Sequence, residues 1–127
     1  RVTVGEAPEA RRAAILVNVA AGSADEPSDQ RGIAHLAEHV SARGFTSGER
    51  HALHAADLGG EEINAGTDFD RTNFYWTVSA QKLDQALALE ADRMRAAAGV
   101  VAFGGLEIEK RIVLSEMREM SWQLDTR

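Results

Sequence analysis

Apolar residues recur along the chain at extended spacing in some stretches and at helical spacing in others, and the points where the period changes outline its elements. Arg1–Gly5 reads as a short strand, followed by a turn through Glu6-Ala7-Pro8-Glu9-Ala10, because Pro and small polar residues punctuate extended runs. The stretch Ala13–Ala20 is almost wholly apolar and partly β-branched, the pattern of a central strand buried on both faces. A loop rich in Gly, Ser, Asp and Pro, Ala21–Gln30, ends it. Helical spacing begins near Gly32 and is predicted to stop by Gly44, a residue suited to the position just past a C-cap. A second short helix is predicted over Ser47–Leu58, closed by Gly59-Gly60.

Two extended runs follow, Ile63–Thr67 and Thr72–Ser79, with Asp68-Phe69-Asp70-Arg71 between them as a hairpin turn. In the second, Phe74, Trp76 and Val78 alternate with Asn73, Tyr75, Thr77 and Ser79, so one face can be buried and the other left for a neighbour. Leu83, Leu87, Ala91 and Met94 mark a helix that faces the core. Glycines break the pattern over Ala96–Gly105, and a last helix runs from Leu106 to about Trp122. The expected class is α+β, a mixed or antiparallel sheet packed against helices.

Composition narrows the chemistry. The 127 residues suit one domain, and the chain begins at Arg1 rather than Met, so it reads as a cut or processed piece. With 14 Lys plus Arg against 20 Asp plus Glu, the net charge of −6 argues against a phosphate-binding surface and so against nucleic acid. The longest apolar runs fall short of the roughly 20 residues that span a bilayer, so a soluble domain with no membrane span is expected. There is no Cys, so any metal has to be held by His and carboxylate. Nothing in the sequence fixes the compartment.

The first informative cluster is His35-Leu36-Ala37-Glu38-His39. Two His four apart lie about 40° apart around a helix, so both imidazoles can reach one ion. Glu38 lies about 60° to the other side of His35, while Ile33, Leu36, Ala37 and Val40 form an aliphatic back. On the last helix, Glu109 and Glu116 fall within about 20° of each other, in the middle of a stripe of Leu106, Ile112, Val113 and Met120. Carboxylates rarely occupy such a stripe unless paired or bound to a cation. Zinc fits the set: His35, His39 and one of Glu109 or Glu116 supply three ligands, a fourth position is left for water, and Glu38 is free to act as the base.

These residues resemble those of the M16 metallopeptidases, the group of pitrilysin, insulinase and mitochondrial processing peptidase. His35-Leu36-Ala37-Glu38-His39 is the inverted zincin pattern His-x-x-Glu-His. Upstream, Ala21-Gly22-Ser23-Ala24-Asp25-Glu26-Pro27 looks like the family's Gly-Ser-x-x-Glu loop. Downstream, Gly59-Gly60-Glu61-Glu62-Ile63-Asn64-Ala65-Gly66-Thr67 looks like its Gly-x-x-x-Asn-Ala-x-Thr strand, Thr72-Asn73-Phe74-Tyr75 like the next strand, and Glu109–Met117 like the helix bearing the third ligand. Val40-Ser41-Ala42-Arg43-Gly44-Phe45 departs from the aromatic-Lys-Gly-Thr turn usual there.

The resemblance implies a LuxS/MPP-like metallohydrolase fold, with residues 1–127 as a partial, zinc-binding N-terminal domain. It implies His35, His39 and Glu116 as zinc ligands, Glu38 as general base and Glu109 as a supporting carboxylate. Asn64 and Ala65 would lie on a strand edge that pairs with an extended peptide substrate. It also implies a missing C-terminal half or homologous partner subunit, in a dimer or pseudo-dimer that closes around the substrate. The function expected is that of a zinc endopeptidase. The alternative is a non-catalytic subunit that helps enclose the substrate, or a zinc-binding fragment that needs its second half. Elsewhere, His51 and His54 read as a solvated helix face, Asp68 and Asp70 as a turn rather than a calcium site, and Tyr75 and Trp76 as sheet packing.

Overall fold

A computed structural model describes residues 1–43, 51–100 and 106–125. Its described strands are β1 (Arg12–Val19), β2 (Glu61–Thr67) and β3 (Thr72–Ser79), and its helices are α1 (Ile33–Arg43), α2 (His51–Asp57), α3 (Leu83–Val100) and α4 (Leu106–Asp125). The strands form an antiparallel sheet in the order β1-β3-β2. The class is the α+β expected. The expected helix stop at Gly44, the helix start at Ser47 and the glycines at 104 and 105 lie outside the described residues.

Period-two patterning decides which face of the sheet is covered. In β3, Thr72, Phe74, Trp76 and Val78 are all buried, whereas Tyr75 between them is exposed. Register then places Ile15 opposite Trp76 and Val17 opposite Phe74 on the covered face. A core of Ile15, Ala55, Trp76, Val78 and Ala86 forms there, with Ala13, Leu58, Ile63, Leu83 and Leu89 packed around it. The outer face carries polar pairs beside the exposed Leu16 and Tyr75: Arg12 pairs with Glu61 at 3.0 Å and Asn18 donates to Asn73 at 2.8 Å.

Several expectations are corrected. Arg1–Gly5 forms no strand, and Val2 and Val4 stand exposed. The turn after it is present, closed by Ala10 N–H donating to Ala7 O. β1 is an edge strand and β3 the central one. Only Ile15 of β1 is buried, and Leu16 is 65% exposed because no described element covers the outer face.

The third correction is the orientation of α3. Leu87 and Met94, expected in the core, are 50% and 56% exposed, while Ala86, Glu90 and Arg93 are buried. The inward face is thus rotated by about 90° from the apolar stripe. A buried indole N–H requires an acceptor, and Trp76 Nε1 donates to Glu90 at 2.8 Å, which draws that polar edge of α3 inward. The helix also continues to Val100, past the break expected from Ala96. α1 buries Val40, but Ile33 and Ala37 of its aliphatic back are exposed.

Candidate metal centre

The loop between β1 and α1 sets the position of the His-bearing helix. Ser23 N–H donates to Asp68 O and Ala24 N–H to Phe69 O, which docks the loop on the β2–β3 hairpin turn. Gly22 lies so close that a Cβ there would be 2.4 Å from Asp68 O, so no side chain is tolerated. Asp68 N–H donates to Arg71 O at 2.8 Å, which closes the turn expected between β2 and β3. Glu26 accepts the N–H groups of Gly32 and Ala34, both at 2.9 Å, which caps the first turn of α1 with a negative charge at its positive dipole end. Gly32 adopts φ +88°, and a Cβ there would sit 2.8 Å from Met117 Sδ of α4. This close approach holds α1 against α4 one residue from Glu116.

His35 and His39 stack edge-on, with ring centroids 4.8 Å apart and their Nε2 atoms 3.2 Å apart. Glu116 Oε2 lies 3.2 Å from His35 Nε2 and 3.4 Å from His39 Nε2. The same three residues form the group whose donor atoms could hold a metal ion. Ligands about 2.0–2.1 Å from a tetrahedral zinc lie roughly 3.3–3.4 Å from one another, so this triangle has the size zinc needs. His39 Nδ1 stands 2.9 Å from Glu109 Oε2, and Glu109 is 5% exposed. A carboxylate there accepts Nδ1–H and leaves Nε2 with its lone pair facing the triangle. Glu38 is buried beside the centre, and its Oε2 accepts a 2.5 Å hydrogen bond from the Thr67 hydroxyl. All of these groups line one cleft of about 1150 Å³, together with Asn64 and Ala65.

The sequence matches the model of a family described as insulinase (peptidase family M16) over residues 1–126. The chain belongs to the M16 peptidase family. Among relatives of this M16 chain, coenzyme PQQ synthesis protein F of Pseudomonas aeruginosa is 35% identical over 96 residues, covering 74% of the chain and 12% of that protein. An uncharacterised zinc protease of Mycobacterium leprae is 33% identical over 120 residues, covering 92% of the chain and 26% of that protein. The crystal structure of a protease from Helicobacter pylori superimposes with a TM-score of 0.61 at 29% identity, over 67% of the chain and 21% of that structure. The M16 chain thus spans about a tenth to a quarter of the length of these proteins.

The M16 chain also carries the expected strand edge. Among the described residues β2 pairs with β3 on one side only, with Asn64 opposite Tyr75 and Ala65 opposite Phe74. An irregularity between Glu61 and Asn64 inserts one extra residue, and Glu62 takes φ +54°. Ala65 N–H donates to Asn64 Oδ1 at 2.9 Å.

Further along the cleft, the expectation for His51 is overturned. His51 is 5% exposed, stands edge-on to Trp76, and holds Nε2 3.0 Å from Glu90 Oε1. Glu90 Oε2 accepts Arg93 Nε at 2.8 Å, and the Arg93 guanidinium lies 3.9 Å from the centre of the Phe74 ring. Burial opposes ionisation of Glu90. The His51 contact, the charge of Arg93 and its hydrogen bond outweigh burial, so the carboxyl falls from 4.5 to about 2. Sequence reasoning assigned no role to Glu26, Thr67 or Glu90. Glu26 and Thr67 stand in the Gly-Ser-x-x-Glu and Gly-x-x-x-Asn-Ala-x-Thr patterns, which is the signal for both, whereas Glu90 acts across the fold.

Proposed function

We propose that this chain is the metal-bearing part of a zinc-dependent endopeptidase that hydrolyses extended peptides or propeptides. In this reading His35, His39 and Glu116 hold the zinc and Glu38 is the general base. The observation that carries it is the donor triangle of 3.2, 3.2 and 3.4 Å, backed by a buried carboxylate on the far nitrogen of His39. The family of peptidases and the name of the mycobacterial relative support the same metal. Zinc bound there would supply a Lewis acid that lowers the pKa of water to about 7 and polarises a peptide carbonyl.

The chain's own groups do the remaining work. Glu38 takes a proton from the attacking water and returns it to the departing amine nitrogen. Glu109 fixes the tautomer and ring plane of His39. The open edge of β2 at Asn64 and Ala65 pairs with an extended substrate backbone, which gives recognition loose in side chain but strict in conformation. The rest of the substrate chamber is assigned to a second half or homologous partner subunit, as a dimer or pseudo-dimer, in keeping with the greater length of the relatives.

Metal analysis of the purified chain should find about one zinc, lost in His35→Ala and Glu116→Ala. A chain that takes up no zinc would overturn the ligand set. Glu38→Gln should retain zinc and lose peptide cleavage, and a fully active variant would remove Glu38 as the base.

A further inference from the structure

We infer that Thr67 is a positioning residue for Glu38, so that the strand offered to the substrate also aims the base. The inference rests on the reading of Glu38 as the base and extends it to a residue on another element. Thr67 Oγ1 to Glu38 Oε2 measures 2.5 Å, the short distance typical of a hydroxyl donating to a carboxylate. Among the described residues the other oxygen, Oε1, has no hydrogen-bond partner. One oxygen is tied, and the plane of the carboxylate is fixed with the other left for water.

Thr67 is itself held. It is the last residue of β2, directly opposite Thr72, and as a β-branched residue it has few χ1 choices. Thr72 is buried and donates to Ala21 O at 2.9 Å, so its proton is committed elsewhere. The two hydroxyl oxygens are 3.4 Å apart, and Thr67 keeps its own proton for Glu38. Asn64 and Ala65 lie on the same strand as Thr67. A backbone aligned along β2 is therefore registered against the base through a few residues of one rigid element.

The test compares Thr67→Val, which keeps shape and removes the donor, with Thr67→Ser, which keeps the donor. In the zinc-loaded, peptide-cleaving protein, Thr67→Val should lower kcat about 10- to 100-fold with zinc content unchanged and KM within about twofold, and Thr67→Ser should recover most of the rate. Equal losses in Val and Ser, or a Val variant with wild-type kcat, would overturn the inference. If Glu38→Gln is active, the reading of the base fails; if Glu38→Gln is inactive and Thr67→Val is not impaired, only the positioning role fails. A measurement independent of activity is the Thr67 hydroxyl proton in the metal-free chain. It should appear by NMR as a slowly exchanging resonance that disappears in Glu38→Ala, and its absence from the unaltered chain would overturn the contact.

Discussion

Replacing Glu90 by Gln isolates one buried charge whose worth follows from the structure. The fall of its carboxyl from 4.5 to about 2 corresponds to about 3 kcal/mol of preference for the charged form in the folded chain. The folded value lies below the unfolded one, so this stability is fully present above about pH 4.5. It is lost as pH falls through the interval down to about 2. Gln is nearly isosteric and still accepts from Trp76, but it leaves Arg93, 2% exposed, without its counter-charge. Breaking one side of a buried pair costs about 3–5 kcal/mol, so Glu90→Gln should destabilise the chain by at least about 3 kcal/mol at pH 7. Urea unfolding followed by circular dichroism at intervals from pH 7 to pH 2 measures both chains. Because a neutral Glu resembles Gln, the two stabilities should converge towards pH 2, and the other carboxylates cancel in the difference. A gap that stays constant across the range, or no gap at pH 7, would refute the assignment of the shift to this cluster.

Two further outcomes are expected. Glu109→Gln removes the charge behind His39 Nδ1 and should weaken zinc binding about 10- to 100-fold in a chelator competition; unchanged affinity would show that Glu109 does not support the ligand. Gly32→Ala introduces a Cβ at a left-handed position and against Met117 Sδ, so a loss of about 1–2 kcal/mol by urea titration is expected, and a neutral effect would contradict the close approach of α1 to α4.

What could be read in advance depended on how local each signal is. The His35 and His39 pair needs only helical spacing to face one point, and Glu109 and Glu116 share one unbroken helix, so both halves of the centre were legible. Choosing Glu116 over Glu109 as the ligand was not a matter of spacing, and it rested on resemblance. The rotation of α3 was invisible because periodicity weighs Leu87 and Met94 equally whether or not anything lies against them. What turns the helix is a demand from β3, the indole N–H of Trp76, fourteen residues before its acceptor. β1 misled in a similar way, since a continuous apolar run states a capacity for burial and the cover must come from elsewhere.

The centre is assembled by contacts that leave little room for adjustment, and these contacts join into one path. The loop after β1 docks on the hairpin turn through Gly22, and Glu26 at its far end caps the helix carrying His35, Glu38 and His39. The hairpin in turn carries Thr67, which reaches back to Glu38. Hairpin, loop and helix therefore close a ring, so Glu38 is located twice, once through its own backbone and once through its carboxylate. α4 enters independently, by the contact of Met117 with Gly32 one residue from Glu116. A disturbance of the hairpin should consequently move Glu38 and the edge of β2 together, while a disturbance of α4 should move Glu116 and, through Glu109, the ring of His39.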